Sequence, residues 1–197
     1  MWKDAQEFLL KDKFIGPPVS KWGNCTLAPT KQELYFEDLV DAICSQQLSG
    51  KAAKTIFERV KTLVGGSFKP EAILAIEDKK LRDQGLSWSK VNYVKDLAQK
   101  VQNGTLNLEE LLVLTDEQII KVLVGVKGIG RWTAEMFLMF SLARPDVFPV
   151  DDLGIQKGFE KAVGKRFNKT KSAEFAEKHW KPYRSVASWY LWRSLDI

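Results

Sequence analysis

TDEQIIKVLVGVKGIGRWTAEMFLMFSLA, residues 115–143, is the stretch that decides the fold. Apolar residues recur at helical spacing up to about Leu123, a glycine-bounded turn follows over Gly125-Val126-Lys127-Gly128-Ile129-Gly130, and a second apolar helix begins near Gly130. Two glycines around one aliphatic residue let the main chain come close to a ligand, while Ile129 fills the space between the helices. The N–H groups in the first turn of the second helix suit a phosphate, and Lys127 and Arg131 add positive charge beside them. The pattern reads as a helix-hairpin-helix, a grip on the DNA backbone that ignores base sequence. A plain helical hairpin with a glycine turn is the competing reading, because glycine often ends a helix.

Outward from this stretch the helical period continues. Residues 34–46 place Phe36, Leu39, Val40 and Ile43 on one face; residues 51–64 do the same with Ala52, Ile56, Val60 and Leu63 before Gly65-Gly66. Residues 88–102 carry Val91, Val94, Leu97, Ala98 and Val101 and stop at Asn103-Gly104. Asn107-x-x-Glu110 and Thr115-x-x-Gln118 have the form of capping boxes that open short helices. Residues 14–33 hold Gly16, Pro17, Pro18, Gly23 and Pro29 and are expected to be mostly loop or extended chain. Residues 145–150 form a short extended connector between helices, a candidate hinge. No run alternates cleanly enough to argue for a sheet, so the expected class is all-α.

Composition narrows the function. The 197 residues suffice for one or two compact lobes, and no apolar run reaches the roughly 18 residues that cross a bilayer. The start, Met1-Trp2-Lys3-Asp4-Ala5-Gln6-Glu7, has early acids and no apolar core, so it does not read as a secretory signal. Two cysteines, Cys25 and Cys44, and one histidine, His179, cannot assemble a zinc or iron–sulfur site. The cysteines read as reduced, small core or near-surface residues, and His179 as a surface helix residue. A net charge of +5 favours a polyanionic partner, and seven tryptophans offer faces for stacking on bases as well as core.

Gly128-Ile129-Gly130-Arg131-Trp132-Thr133-Ala134, followed by Asp146-Val147-Phe148-Pro149-Val150-Asp151-Asp152, resembles the AlkA/Mag family of 3-methyladenine DNA glycosylases, within the helix-hairpin-helix glycosylase superfamily. Residues 43–53 (ICSQQLSGKAA), 85–94 (GLSWSKVNYV) and 180–193 (WKPYRSVASWYLWR) are similar to further family blocks, in the same order along the chain. The chain looks like the compact form without an added β-rich N-terminal domain, and the C-terminal cysteines of iron–sulfur relatives are absent. The resemblance implies an all-helical fold of two lobes flanking a DNA-binding cleft. One lobe is expected at about 34–145, with the hairpin at about 115–143; the other joins 1–33 to 146–197.

The resemblance also implies a chemistry. A monofunctional glycosylase would flip out alkylated purines such as 3-methyladenine and 7-methylguanine, hydrolyse the N-glycosidic bond and leave an abasic site, without a lyase step. Asp152 matches the catalytic aspartate, which would stabilise the oxocarbenium-like sugar; Asp151 is then a helix cap or a support. An Asp pair before a helix also reads simply as capping. Trp132, Trp192, Met136 and Leu153 are expected in the base pocket, with core packing the competing reading for both tryptophans. Gln47, Leu48 and Ser49 are the expected minor-groove wedge, against an ordinary polar helix cap. Gly125, Lys127, Gly128, Ile129, Gly130, Arg131 and Thr133 are the expected DNA contacts of the hairpin. Trp132 stands where lyase relatives carry an imine-forming lysine, and tryptophan forms no imine. No cofactor is expected, apart from a sodium or potassium ion on the main-chain carbonyls of Val124, Val126 and Ile129. The expected partner is double-stranded DNA with alkylated bases, bound by a monomer with no membrane association, in the cytoplasm of a prokaryote or the nucleus of a eukaryote. Two alternatives are a non-enzymatic helix-hairpin-helix DNA-binding protein and a glycosylase for oxidised or deaminated bases.

Overall fold

The computed structural model describes residues 1–195. Among these there is no β-strand, and the all-α expectation holds. The helices are α1 (Lys3–Leu10), α2 (Gly16–Trp22), α3 (Tyr35–Ser45), α4 (Gly50–Leu63), α5 (Pro70–Ala75), α6 (Asp78–Asp83), α7 (Trp88–Gln102), α8 (Asp116–Val124), α9 (Arg131–Phe140), α10 (Leu153–Val163), α11 (Lys169–Trp180) and α12 (Arg184–Arg193). No described helix is long and apolar enough to cross a membrane.

Local chemistry sets several boundaries. Thr115 and Gln118 form the full capping box that starts α8. Ser87 caps α7 by accepting from the Lys90 amide at 3.2 Å, and Asn168 caps α11 through Lys171 at 3.0 Å. The Asn107–Glu110 pair closes on itself at 2.8 Å, but the segment it opens is 3-10, over Glu109–Val113, rather than α-helical. Residues 14–33 are mostly loop as expected, except that 16–22 form α2. Pro17 lies in the first turn of α2, where a missing N–H costs nothing, so a proline pair that looked like a breaker starts a helix instead.

The chain divides into two compact units, Thr30–Phe137 and a second made of Met1–Pro29 with Leu138–Ile197. The division falls inside α9, not at 145/146, and at 29/30 rather than 33/34. The end of α9 belongs to the second unit because Phe140 stacks on Trp192 at 5.7 Å and the Leu138 carbonyl accepts from the Arg144 amide at 2.9 Å. The connector at 145–150 is likewise tied down within that unit and is no hinge. Arg184 grips both carboxylate oxygens of Asp146, at 2.7 and 2.9 Å, and Ser185 Oγ accepts from the Val147 amide at 2.8 Å.

Within Thr30–Phe137, the core collects Leu39, Val40 and Ile43 of α3, Val91, Val94 and Leu97 of α7, and Ile119 and Leu123 of α8, all buried. Within the other unit, Phe159 of α10 and Phe175 of α11 meet Trp180 edge-on at 6.0 and 5.5 Å. A β-carbon on Gly158 would lie 2.5 Å from the Leu191 carbonyl, so α10 and α12 approach to backbone contact. His179 is a half-buried residue of α11 rather than a fully exposed one: its ring stacks on Phe175 at 4.2 Å and its Nδ1 lies 3.1 Å from Asp12 Oδ2.

Asp12 ties the N-terminal helices to α11. Its Oδ1 accepts from the Phe14 and Ile15 amides, both at 2.9 Å, and from the Trp180 indole at 3.3 Å. Burial pushes this carboxyl up, but the Ile15 and Phe14 amides, Trp180 and His179 outweigh burial and hold it below its ordinary value of 3.8. The stability it contributes is therefore present above the ordinary carboxylate range and lost as pH falls through the lowered native value. Asp12→Ala is expected to cost about 1–3 kcal/mol at neutral pH by leaving buried donors unpaired. Thermal melts over a pH series check this, with the gap to wild type narrowing on acidification.

Candidate active site

The sequence places two aspartates before α10, and the structure separates them. Asp152 is the N-cap residue: its Oδ1 accepts from the Ile155 amide at 2.8 Å and from the Trp192 indole Nε1–H at 2.8 Å. Asp151 is not the cap. It is exposed and pairs with Lys169 at the start of α11. Both N–H donors, the Ile155 amide and the Trp192 indole, meet at Asp152 Oδ1. A β-carbon on residue 154 would lie 2.7 Å from the Trp192 ring and 3.0 Å from Asp152 Oδ1. Gly154 therefore lets the indole close over the carboxylate.

Trp192 thus spends its polar atom on Asp152 and one face on Phe140, at 29° between planes. That is neither plain core packing nor a bare pocket wall; it is a clamp on the carboxylate. Leu153, 70% exposed, is the first residue of α10.

A cleft of about 780 Å³ lies within Thr30–Phe137, lined by Gln46–Leu48, Ser87, Lys90, Tyr93, Gly128, Trp132 and Met136 among others. Trp132, 41% exposed, and Met136 thus share one cavity, together with the wedge candidates Gln47 and Leu48. Residues 47–49, between α3 and α4, are exposed, and Leu48 is 40% exposed. Ser49 takes the N-cap position of α4 without a side-chain cap bond.

The hairpin turn joins α8 to α9. Ile129 is buried at 3% exposure, as a residue filling the gap between helices must be. Gly128 has φ +81°, and a β-carbon there would fall 2.1 Å from the Tyr93 ring. Gly130 differs, because its β-carbon would meet nothing within 4 Å. Thr133 is buried and lines the cleft. The positive charge expected beside the turn is partly spent on protein groups. Arg131 binds Glu117 at 2.5 Å and Glu135 at 3.1 Å, and the Arg131 hydrogen bond holds the Glu117 carboxyl below its ordinary range. Lys127 keeps 71% of its side chain exposed, with Nζ 3.9 Å from Asp96. Among the described residues no cluster of His, Cys, Asp or Glu could hold a metal ion, and both thiols are free, with burial raising Cys25 to about 11 and Cys44 to about 12.

Sequence reading alone did not single out Tyr93, Lys90 or Gln46. Tyr93 and Lys90 sit in the 85–94 block and Gln46 beside Gln47, so position hinted at them, but only packing shows what they touch.

Residues 40–184 match the HhH-GPD superfamily of base excision DNA repair proteins. DNA-3-methyladenine glycosylase 1 of Schizosaccharomyces pombe is 40% identical over 173 residues, covering 85% of this chain and 75% of that one. The structure of Schizosaccharomyces pombe 3-methyladenine DNA glycosylase Mag1 in complex with abasic DNA aligns with a TM-score of 0.88 at 35% identity, over 99% of this chain and 98% of that one. A DNA-3-methyladenine glycosidase from Bacillus halodurans aligns with a TM-score of 0.86 at 38% identity, over 96% and 88% of the two chains. The chain therefore belongs to the HhH-GPD superfamily of base excision DNA repair proteins, among the 3-methyladenine DNA glycosylases.

Proposed function

We propose that this glycosylase releases alkylated purines, 3-methyladenine and 7-methylguanine among them, from double-stranded DNA, acting as a monomer and without a lyase step. The observation that carries the proposal is the Asp152 carboxylate, held by the Ile155 amide and the Trp192 indole, each at 2.8 Å, in a chain of this family. As the bond between sugar C1′ and the base nitrogen breaks, its electron pair leaves with the base and positive charge builds on the sugar. A fixed carboxylate stabilises that charge without reorganising. Water then adds to C1′ and gives up a proton, leaving an intact strand with an abasic site. Asp151, paired with Lys169, acts on this reaction at most indirectly.

The target base must leave the stack. Trp132 and Met136 supply an electron-rich, polarisable wall suited to a cationic alkylpurine; Trp192 and Leu153, beside Asp152, are the base-pocket candidates that the other unit carries. Gln47, Leu48 and Ser49 act as the wedge in the minor groove. Gly130 leaves room for a phosphate at the start of α9, beside Lys127. Trp132 offers no amine for an imine, which supports hydrolysis alone.

A sodium or potassium ion fits the turn by donor chemistry, since hard carbonyl oxygens suit an alkali cation. Val124 ends α8, where carbonyls lack intrahelical partners; Val126 O accepts from the Ile129 amide at 3.1 Å, one of the two bonds a carbonyl can take. Val124, Val126 and Ile129 would hold the ion, whose charge would add to the phosphate grip.

Mass spectrometry of bases released from methylated duplex DNA tests the reading. Methylated purines are expected, with strands that break only on alkali or heat. Release of oxidised or deaminated bases alone would redirect the substrate class. Strand nicking by the enzyme itself would contradict the monofunctional mechanism, and binding without release would leave a DNA-binding module.

A further inference from the structure

Lys90 lies in the first turn of α7, held by the Ser87 cap, and its side chain crosses to the end of α3. There Nζ donates to the Cys44 carbonyl at 2.8 Å and the Gln46 carbonyl at 2.7 Å. These carbonyls sit at a helix C-terminus, where partners are lacking and the helix dipole favours a cation. The next residue, Gln47, has φ +56°, a left-handed conformation that side-chain-bearing residues rarely adopt. From the other side, Gln46 Nε2 donates to the Gly128 carbonyl at 2.8 Å, in the hairpin turn. Leu48 and Ser49 follow directly, exposed. All these residues lie within the unit Thr30–Phe137.

We propose that Lys90 is the positioning residue of the wedge: with Gln46 it locks the turn at Gln47 and ties it to the hairpin, so that Leu48 is presented to DNA in its inserting geometry before DNA arrives. A loop left to sample other conformations would order only on binding and insert less often. Burial lowers the Lys90 ammonium from its ordinary value, so this cation is kept at the cleft wall at a desolvation cost, its Nζ placed on two carbonyls. The inference rests on residues 47–49 being the wedge, and it does not depend on which damaged base the enzyme prefers.

The test therefore reads insertion rather than chemistry. A duplex carrying 2-aminopurine beside a tetrahydrofuran abasic analogue brightens when a wedge unstacks the fluorophore. Wild type, Lys90→Met and Gln46→Met are compared at saturating protein, with binding followed separately by anisotropy and folding by thermal melts. The fluorescence gain is expected in wild type, and the equilibrium for insertion to fall about tenfold or more in Lys90→Met, which loses both charge-assisted hydrogen bonds to the Cys44 and Gln46 carbonyls. Gln46→Met is expected to lose less, with saturation still reached. Should Lys90→Met fail to fold, Gln46→Met carries the test alone. An undiminished gain in folded, DNA-saturated variants would overturn the proposal, as would a wild type that binds without brightening while Leu48→Ala behaves identically. Failure to release methylated purines would instead overturn the substrate reading and leave this measurement standing.

Discussion

Asp152→Asn is expected to lose about 10²–10³ in single-turnover release of methylated purine while melting close to wild type. The two expectations separate because the cap and the proposed chemistry make different demands on Asp152. As N-cap it needs an oxygen that accepts from the Ile155 amide, and asparagine caps about as well as aspartate. The same oxygen can keep the Trp192 indole bond. What asparagine cannot supply is the negative charge that faces a developing sugar cation. Duplex binding should be unchanged or tighter, since a carboxylate near phosphates repels them. Asp151→Asn is the comparator, and its loss should be small, because Asp151 is exposed and engaged with Lys169. Full activity in Asp152→Asn would remove the aspartate mechanism; a dead Asp151→Asn beside an active Asp152→Asn would move it by one residue.

Gly128→Ala and Gly130→Val are expected to fail in opposite ways, although both glycines belong to the same hairpin motif. At 128 the added carbon would fall 2.1 Å from the Tyr93 ring, in a left-handed backbone conformation. Overpacking and the left-handed penalty together predict about 2–5 kcal/mol of lost stability, which chemical denaturation would read. At 130 a β-carbon would meet nothing within 4 Å, so the fold should melt near wild type. The added side chain would instead occupy the approach of a DNA phosphate to the start of α9, weakening duplex binding irrespective of sequence. Titrations of undamaged duplex at several salt concentrations check the second claim. A Gly130→Val protein that binds duplex like wild type would show that the turn is not the phosphate grip, whatever Gly128→Ala does.

Where sequence and structure agree, the determinants are local. The periods of α3, α4, α7 and α8 repeat every three to four residues, and the Thr115 box lies within one turn, so each is written in a short window of sequence. The hairpin turn and the order of the family motifs were legible for the same reason. Proline misled at α2, because Pro17 ends a helix in its interior but begins one in its first turn, and only the surrounding chain decides which turn it occupies.

What the sequence by itself determined, then, is an all-helical chain with a glycine hairpin and an aspartate pair ahead of a helix, with Gln47–Ser49 marked only by the family resemblance. Only the tertiary structure decided which aspartate caps, that Trp192 reaches back 40 residues to hold it, and that Lys90 reaches 46 and 44 residues to the carbonyls of Cys44 and Gln46. It also decided that Gly128 answers to Tyr93 while Gly130 answers to no protein atom. The physical reason is one of range. Helix period and capping depend on neighbours within a turn, whereas a hydrogen bond between side chains tens of residues apart exists only once packing has brought their helices together.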